Sequence, residues 1–137
     1  INNGKPFLGI CVGMQLMAER GVEHGAHQGF GGIQGDITPI RPADEELKIP
    51  HMGWNDLDII KPGHPVFQGI APGTHSYFVH GYALSGGDPV QLLARVDYAG
   101  DIVAVVGRDN LVGTQFHPEK SQKAGLKFIE NFLGWKP

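Results

Sequence analysis

Apolar residues along this chain come in short runs broken by glycine, proline and polar clusters. Residues 6–10, "PFLGI", suit a buried strand. Residues 12–20, "VGMQLMAER", hold good helix formers after the first turn, and Gly21 stands where a helix C-cap glycine belongs. A glycine-rich loop follows over 21–32, then a strand over 33–40 ("IQGDITPI") and a polar, exposed stretch over 41–48. Residues 49–60 read as a turn around Pro50–Gly53 and an alternating, strand-like run from Trp54 to Ile60. A brief helical turn is expected over 65–69, after His64-Pro65. Strands are expected over 75–84, 90–98, 101–108 and 111–116, with hairpin-like links at Ala99-Gly100 and Asp109-Asn110. The last segment, Ser121 to Trp135, predicts an amphipathic helix with Ser121 as N-cap. Phe128, Phe132 and Trp135 form one stripe on it, and Leu126, Ile129 and Leu133 an adjacent one. The pattern predicts an α/β domain with a mixed sheet flanked by helices.

Composition narrows the class. At 137 residues the chain is long enough for one domain with a substantial core, so residues 1–137 read as a single domain. Hydrophobic residues make up 41% and charged residues 18%, the balance of a globular chain. A net charge of −3 offers no broad attraction to nucleic acid or to an anionic membrane. The apolar stretches are too short for a transmembrane span, and the first residues lack the pattern of a secretory signal. One cysteine cannot close an internal disulfide, which fits a reducing, cytoplasmic setting. The sequence moves straight into a buried strand without an initiating methionine, so the expectation is that an amino-terminal part of the domain precedes Ile1.

That single cysteine carries the candidate chemistry. Gly9-x-Cys11-x-Gly13 has the spacing of a nucleophile elbow, in which a residue at a strand-to-helix corner is forced into strained backbone and small neighbours relieve the crowding. The helix beginning at Val12 would favour thiolate through its dipole, and the Val12 N–H would be placed to donate to an oxyanion. Taken alone, the stretch fits two readings, an attacking thiol and a small buried hydrophobe. A thiolate in acyl transfer also needs a base, and the base an orienter. "FHPEK" (116–120) offers both: His117 and Glu119 are two apart and would share a side of an extended segment stiffened by Pro118. By itself that motif also fits a surface histidine beside a solvated charge, but together with the elbow it points to catalysis. The other six histidines are scattered and predict no metal site. "GFGGIQG" lacks the lysine and the setting of a phosphate loop, so no cofactor is expected.

"GICVGMQ" with "QFHPEKS" resembles the class I (triad) glutamine amidotransferases over essentially the whole chain. "IPHMGWN" (49–55) and "SYFVHGY" (76–82), with Lys120 after the triad, are similar in particular to the glutaminase subunits of imidazole glycerol phosphate synthases, in histidine biosynthesis. The resemblance implies that Cys11 attacks the side-chain amide of glutamine, with His117 as acid and base and Glu119 as its orienter. It implies that Gln15 helps hold the glutamine, and that the backbone of His80, Gly81 and Tyr82 clamps the α-carboxylate and α-amino groups. Ammonia would pass to a (β/α)8-barrel cyclase partner in a heterodimer, a lyase step. His51, Met52, Trp54, Asn55, Tyr77 and Lys120 match partner-facing or channel-mouth positions. The same residues also fit ordinary turn and core packing.

Two departures qualify this. The family domain starts well before this sequence, with a glycine-containing loop that supplies a second oxyanion donor. A chain starting at Ile1 is therefore expected to be poorly folded and inactive alone. Gly81 stands where relatives carry a hydroxyl residue, which leaves a backbone contact there. Three rival readings follow the same residues less closely. An amidotransferase serving anthranilate, GMP or carbamoyl-phosphate synthesis conflicts with the "PHMGWN" stretch and Lys120. A cysteine peptidase of related fold conflicts with Gln15 and the 80–82 segment, and a non-catalytic docking module conflicts with an intact triad.

Overall fold

The computed structural model describes residues 1–137, and its regular structure begins with β1 (Phe7–Ile10), which turns at Cys11 into the short helix α1 (Val12–Leu16). Two-residue strands β2 (Arg20–Gly21) and β3 (His27–Gln28) precede β4 (Asp36–Pro39), β5 (His51–Asp56) and β6 (Asp58–Ile59). Then follow β7 (His75–His80), β8 (Tyr82–Ser85), β9 (Leu92–Asp97), β10 (Asp101–Arg108) and β11 (Leu111–Thr114), before the closing helix α2 (Gln122–Gly134).

The main sheet has the order β1-β11-β10-β9-β6, with β1 parallel to β11 and the other pairs antiparallel. A second sheet runs β3-β2-β4-β8, and β5 and β7 form a separate antiparallel pair. The expected mixed α/β architecture is present. Alternation along β10 and β11 divides two cores: Val105 and Val112 face a cluster with Phe78, Phe116, Phe128 and Trp135, whereas Val106 and Leu111 face Met14, Met17, Ile33, Ile37 and Leu84. One face of the sheet is thus covered by α2 and β7, the other by α1 and the second sheet. No helix is long and apolar enough to cross a membrane.

Several elements differ from their sequence pattern for identifiable reasons. The helix expected over 12–20 stops at Leu16, because the next residues pair elsewhere: Glu19 N–H donates to Gly35 O, and the carbonyls of Leu16 and Ala18 take N–H groups of Phe30 and Gly31. Gly21 is therefore a strand residue, not a cap. The run Trp54–Ile60 is interrupted at Leu57 and begins earlier, at His51. The segment 75–84 splits at Gly81 into β7 and β8, which belong to different sheets. On α2 Phe128 is buried and Phe132 partly so, with Trp135 buried just past its end, but Leu126 and Leu133 are exposed.

Candidate active site

Cys11 sits at the corner between β1 and α1 with φ 52° and ψ −109°, a conformation that costs a non-glycine residue roughly 1–3 kcal/mol. The corner is held from both sides. Cys11 N–H donates to Thr114 O at 2.7 Å, continuing the β1–β11 ladder, and Cys11 O accepts the first helical bond from Gln15 N–H at 3.1 Å. Of the flanking glycines only Gly9 is required by space. A Cβ there would lie 2.6 Å from Met17 Sδ and 2.7 Å from Gly13 O, whereas one at Gly13 would meet nothing within 4 Å.

The thiol is partly buried against β7. Sγ lies 3.9 Å from Val79 O and 3.8 Å from Gln115 Nε2. Burial pushes the thiol above its ordinary pKa, helped by the Glu119 carboxylate; the Val12 N–H, Gln115 and Lys120 pull the other way. The dipole effect expected from the helix thus does not prevail: α1 is a single short turn, and desolvation outweighs it. A thiolate here needs a base to take its proton.

His117 is tied to the same strand two residues earlier, its N–H donating to Tyr77 O at 2.9 Å. Carbonyls of residues two apart on a strand point to the same side, so Cys11 and His117 hang from one edge of β7, at points about 7 Å apart along it. His117 Nδ1 donates to Glu119 Oε1 at 2.6 Å. A carboxylate accepts only, so this bond leaves Nε2 as the basic atom of the neutral ring. The pair meets as expected, but by another geometry: Pro118–Lys120 forms a 3-10 turn rather than an extended segment. Ser121, at the expected N-cap position, caps nothing. Its hydroxyl accepts from Tyr77 N–H at 3.0 Å and donates to His117 O at 2.7 Å, stitching the His117 turn to β7.

Gln15 projects from α1 and spends both its amide protons, on Tyr82 O and on Gln115 Oε1, each at 3.2 Å. Its Oε1 is left as an acceptor. Beside it lies a concavity of about 260 Å3 lined by Val12, Gln15, Glu23, His27 and Ile37 among others. His80, Gly81 and Tyr82 cross from β7 to β8 next to Gln15; Gly81 O accepts from Ile40 N–H, and a Cβ at Gly81 would meet only Ile49 Cγ2, at 3.7 Å. A hydroxyl residue would fit there. Three polar residues of this region escape a sequence reading. Gln115 is fully buried, its only signal being a polar side chain inside an apolar strand end. Glu23 lies in a glycine-rich loop without a motif, and Ser121 looks like an ordinary cap. No three His, Cys, Asp or Glu side chains converge as metal ligands.

The outer face of the β5–β7 pair carries Met52 and Trp54, 63% and 48% exposed, with Trp54 edge-on to Tyr77 at 5.7 Å. Lys120 is exposed beside the His117 turn. An open groove lined by Trp54, His75, Lys123 and Leu126 continues this surface. His51 departs from the expected partner-facing set. Alternation along β5 turns it inward, it is 3% exposed, and it pairs with His80. Asn55 shares that inner side and is half-buried.

A family model described as glutamine amidotransferase class-I matches residues 1–134. Among curated relatives, the imidazole glycerol phosphate synthase subunit HisH of Rhodospirillum rubrum is 60% identical over 133 residues, covering 97% of this chain and 62% of that protein. The subunit of the same name from Cereibacter sphaeroides is 59% identical over 133 residues, with the same coverage of 97% and 62%. The chain therefore spans about 62% of the length of these relatives. Among solved structures, PurLQS from Thermotoga maritima superposes with a TM-score of 0.70 at 18% identity, over 97% of this chain and 63% of that one. A structure titled glutamine amidotransferase superposes with a TM-score of 0.61 at 18% identity, over 91% of this chain and 59% of that one. At such identities the likeness concerns the fold alone.

Proposed function

The chain belongs to the class-I glutamine amidotransferase family, and we propose that it hydrolyses glutamine to glutamate and ammonia with Cys11, His117 and Glu119 as its catalytic triad. The observation that carries this reading is the attachment of the strained Cys11 corner and the His117–Glu119 pair to one edge of β7.

His117 Nε2 takes the Cys11 proton, and the thiolate attacks the side-chain amide carbon of glutamine. The Val12 N–H donates to the oxygen as it gains charge. Collapse of the tetrahedral adduct breaks the C–N bond; His117 returns its proton to the departing ammonia and a glutamyl thioester remains. His117 then takes a proton from water, whose oxygen attacks the thioester and releases glutamate and the Cys11 thiol. Glu119 keeps the ring in its Nδ1–H tautomer throughout. Gln15 offers its free oxygen to an N–H of the substrate. Glu23 supplies a carboxylate in the adjoining concavity, a group that pairs with an α-ammonium, while the backbone of His80, Gly81 and Tyr82 holds the α-carboxylate end.

The similarity near 60% to synthase subunits supports a narrower reading. In it the ammonia passes to a (β/α)8-barrel cyclase that makes imidazole glycerol phosphate, in the cytoplasm. The partner docks on the face of Met52, Trp54, Tyr77 and Lys120, with Asn55 at its margin. Glutamate release by the full-length protein, measured with and without the cyclase and its nucleotide ligand, tests both levels. Release that requires Cys11 and rises with the cyclase is expected. Release that ignores the cyclase would refute the narrower reading, and no release in its presence would refute the wider one.

A further inference from the structure

Behind the 80–82 segment runs a buried chain of hydrogen bonds that the chemistry above does not use. Its outer end is the Asn55 amide, whose orientation is fixed from two sides: Oδ1 accepts from Asp56 N–H at 2.8 Å and Nδ2 donates to Asp97 O at 2.8 Å. The second Nδ2 proton therefore faces His51 Nε2, at 3.4 Å. Its inner end is the Tyr82 carbonyl, which can only accept and lies 2.9 Å from His80 Nδ1. Between them, His51 Nδ1 stands 2.9 Å from His80 Nε2.

Only one assignment satisfies every atom. Both rings are neutral and carry their proton on Nδ1, and every bond donates in the same sense, from Asn55 through His51 and His80 to Tyr82. A second proton on either ring would set two N–H groups against each other, at Asn55 or between the rings. The surroundings favour the neutral form. His51 and His80 are 3% and 5% exposed, the His51 ring lies against Phe78 and Tyr98, and burial pushes both pKa values down, that of His51 to about 4.

The carbonyl at the inner end is the one that also takes a proton of Gln15. Its position decides which way the Gln15 amide is turned, and hence whether oxygen or nitrogen is left free. We propose that His51 and His80 are positioning residues: their one-way relay fixes the Tyr82 carbonyl and so holds Gln15 with its oxygen free for the substrate. The inference rests on the glutaminase reading above.

The test uses the full-length protein with 15N-labelled histidine. Nitrogen shifts of both rings should report neutral, Nδ1–H tautomers between pH 6 and 8; an imidazolium or an Nε2–H tautomer at either ring would overturn the relay. Two variants then separate positioning from mere stability. His80→Asn keeps a donor where Nδ1 stood, while His80→Leu frees the Tyr82 carbonyl, and both lose the bond to His51. His80→Leu should raise the glutamine KM about tenfold with kcat much less affected, and His80→Asn should raise it clearly less. Equal KM values in the two, or a loss confined to kcat, would overturn the positioning role. If His80→Leu does not fold, His51→Phe replaces it: it keeps the ring stack but lets His80 change tautomer. A changed His80 tautomer with unchanged KM would overturn the proposal. Wild-type protein with the right tautomers but no glutamine turnover would refute the glutaminase reading and the positioning role with it. Turnover with a wrong tautomer would refute the relay alone.

Discussion

His117 Nδ1 and Glu119 Oε1 lie 2.6 Å apart, joined across a single 3-10 turn. At that distance the carboxylate, which can only accept, takes the Nδ1 proton and so selects the tautomer with Nε2 free. Glu119→Gln keeps the size of the side chain but loses the charge. Its kcat for glutamate release should fall by about 10²–10³-fold with KM little changed. Steady-state kinetics check this, and a fall below tenfold would make Glu119 an ordinary surface carboxylate.

The two glycines flanking Cys11 should respond differently to alanine. At Gly9 the new Cβ would collide with Gly13 O, which is backbone and cannot swing away. At Gly13 it would enter open space. Gly9→Ala should lower stability by about 2 kcal/mol or more, and Gly13→Ala should change it by less than about 0.5 kcal/mol. Urea denaturation of the full-length protein measures both. Equal effects would mean that the corner is not packed as described.

Strain at Cys11 is separable from its chemistry. Glycine adopts positive φ freely, while alanine keeps the strain of cysteine. Both variants should lose glutaminase activity, yet Cys11→Gly should be at least as stable as Cys11→Ala, by about 1 kcal/mol after its greater chain entropy is offset. An alanine variant more stable than the glycine one would contradict the strained corner.

The buried histidines should make stability depend on pH. An unfolded histidine titrates at about 6.5, whereas burial lowers folded His51 to about 4 and lowers His80 and His64 as well. Below about pH 6.5 the unfolded chain binds more protons than the native one, so stability falls as the pH drops toward 4. Between pH 6.5 and 5 the denaturation midpoint should decline, and the linked proton uptake should be smaller by about one proton in His51→Phe. A flat profile in the wild type would contradict the neutral pair.

Local signals in the sequence went far where structure is local. The apolar run over 101–108 became β10 with its bounds intact, and the Ala99-Gly100 link became the turn of the β9–β10 hairpin, with Ala99 at φ 50°. The strained corner at Cys11 and the His117–Glu119 contact are legible because the elbow and the H-P-E motif each sit within five residues. The pattern over 12–20 predicts one helix, but Gly29, Gly31 and Gly35 draw residues 18 and 19 into loop bonds, and Arg20 pairs with Gln28 and Asp36. Ser121 carries a cap signal but serves β7 instead, and Gln115 carries almost none. His51 reads as part of a turn, and by resemblance as partner-facing, yet its register opposite His80 buries it. The partners of His51, Ser121 and Gln115 lie 29 to 104 residues away from them, and no short-range pattern pairs them.

In the proposed reaction Cys11 attacks the side-chain amide carbon of glutamine. A chloroketone analogue of glutamine, which alkylates a thiol held at that carbon, tests it directly in the full-length protein by peptide mass spectrometry. One adduct on Cys11, suppressed by excess glutamine and absent from His117→Ala within the same exposure, is the predicted result. Labelling that glutamine does not suppress, or that falls on another residue, would contradict the account.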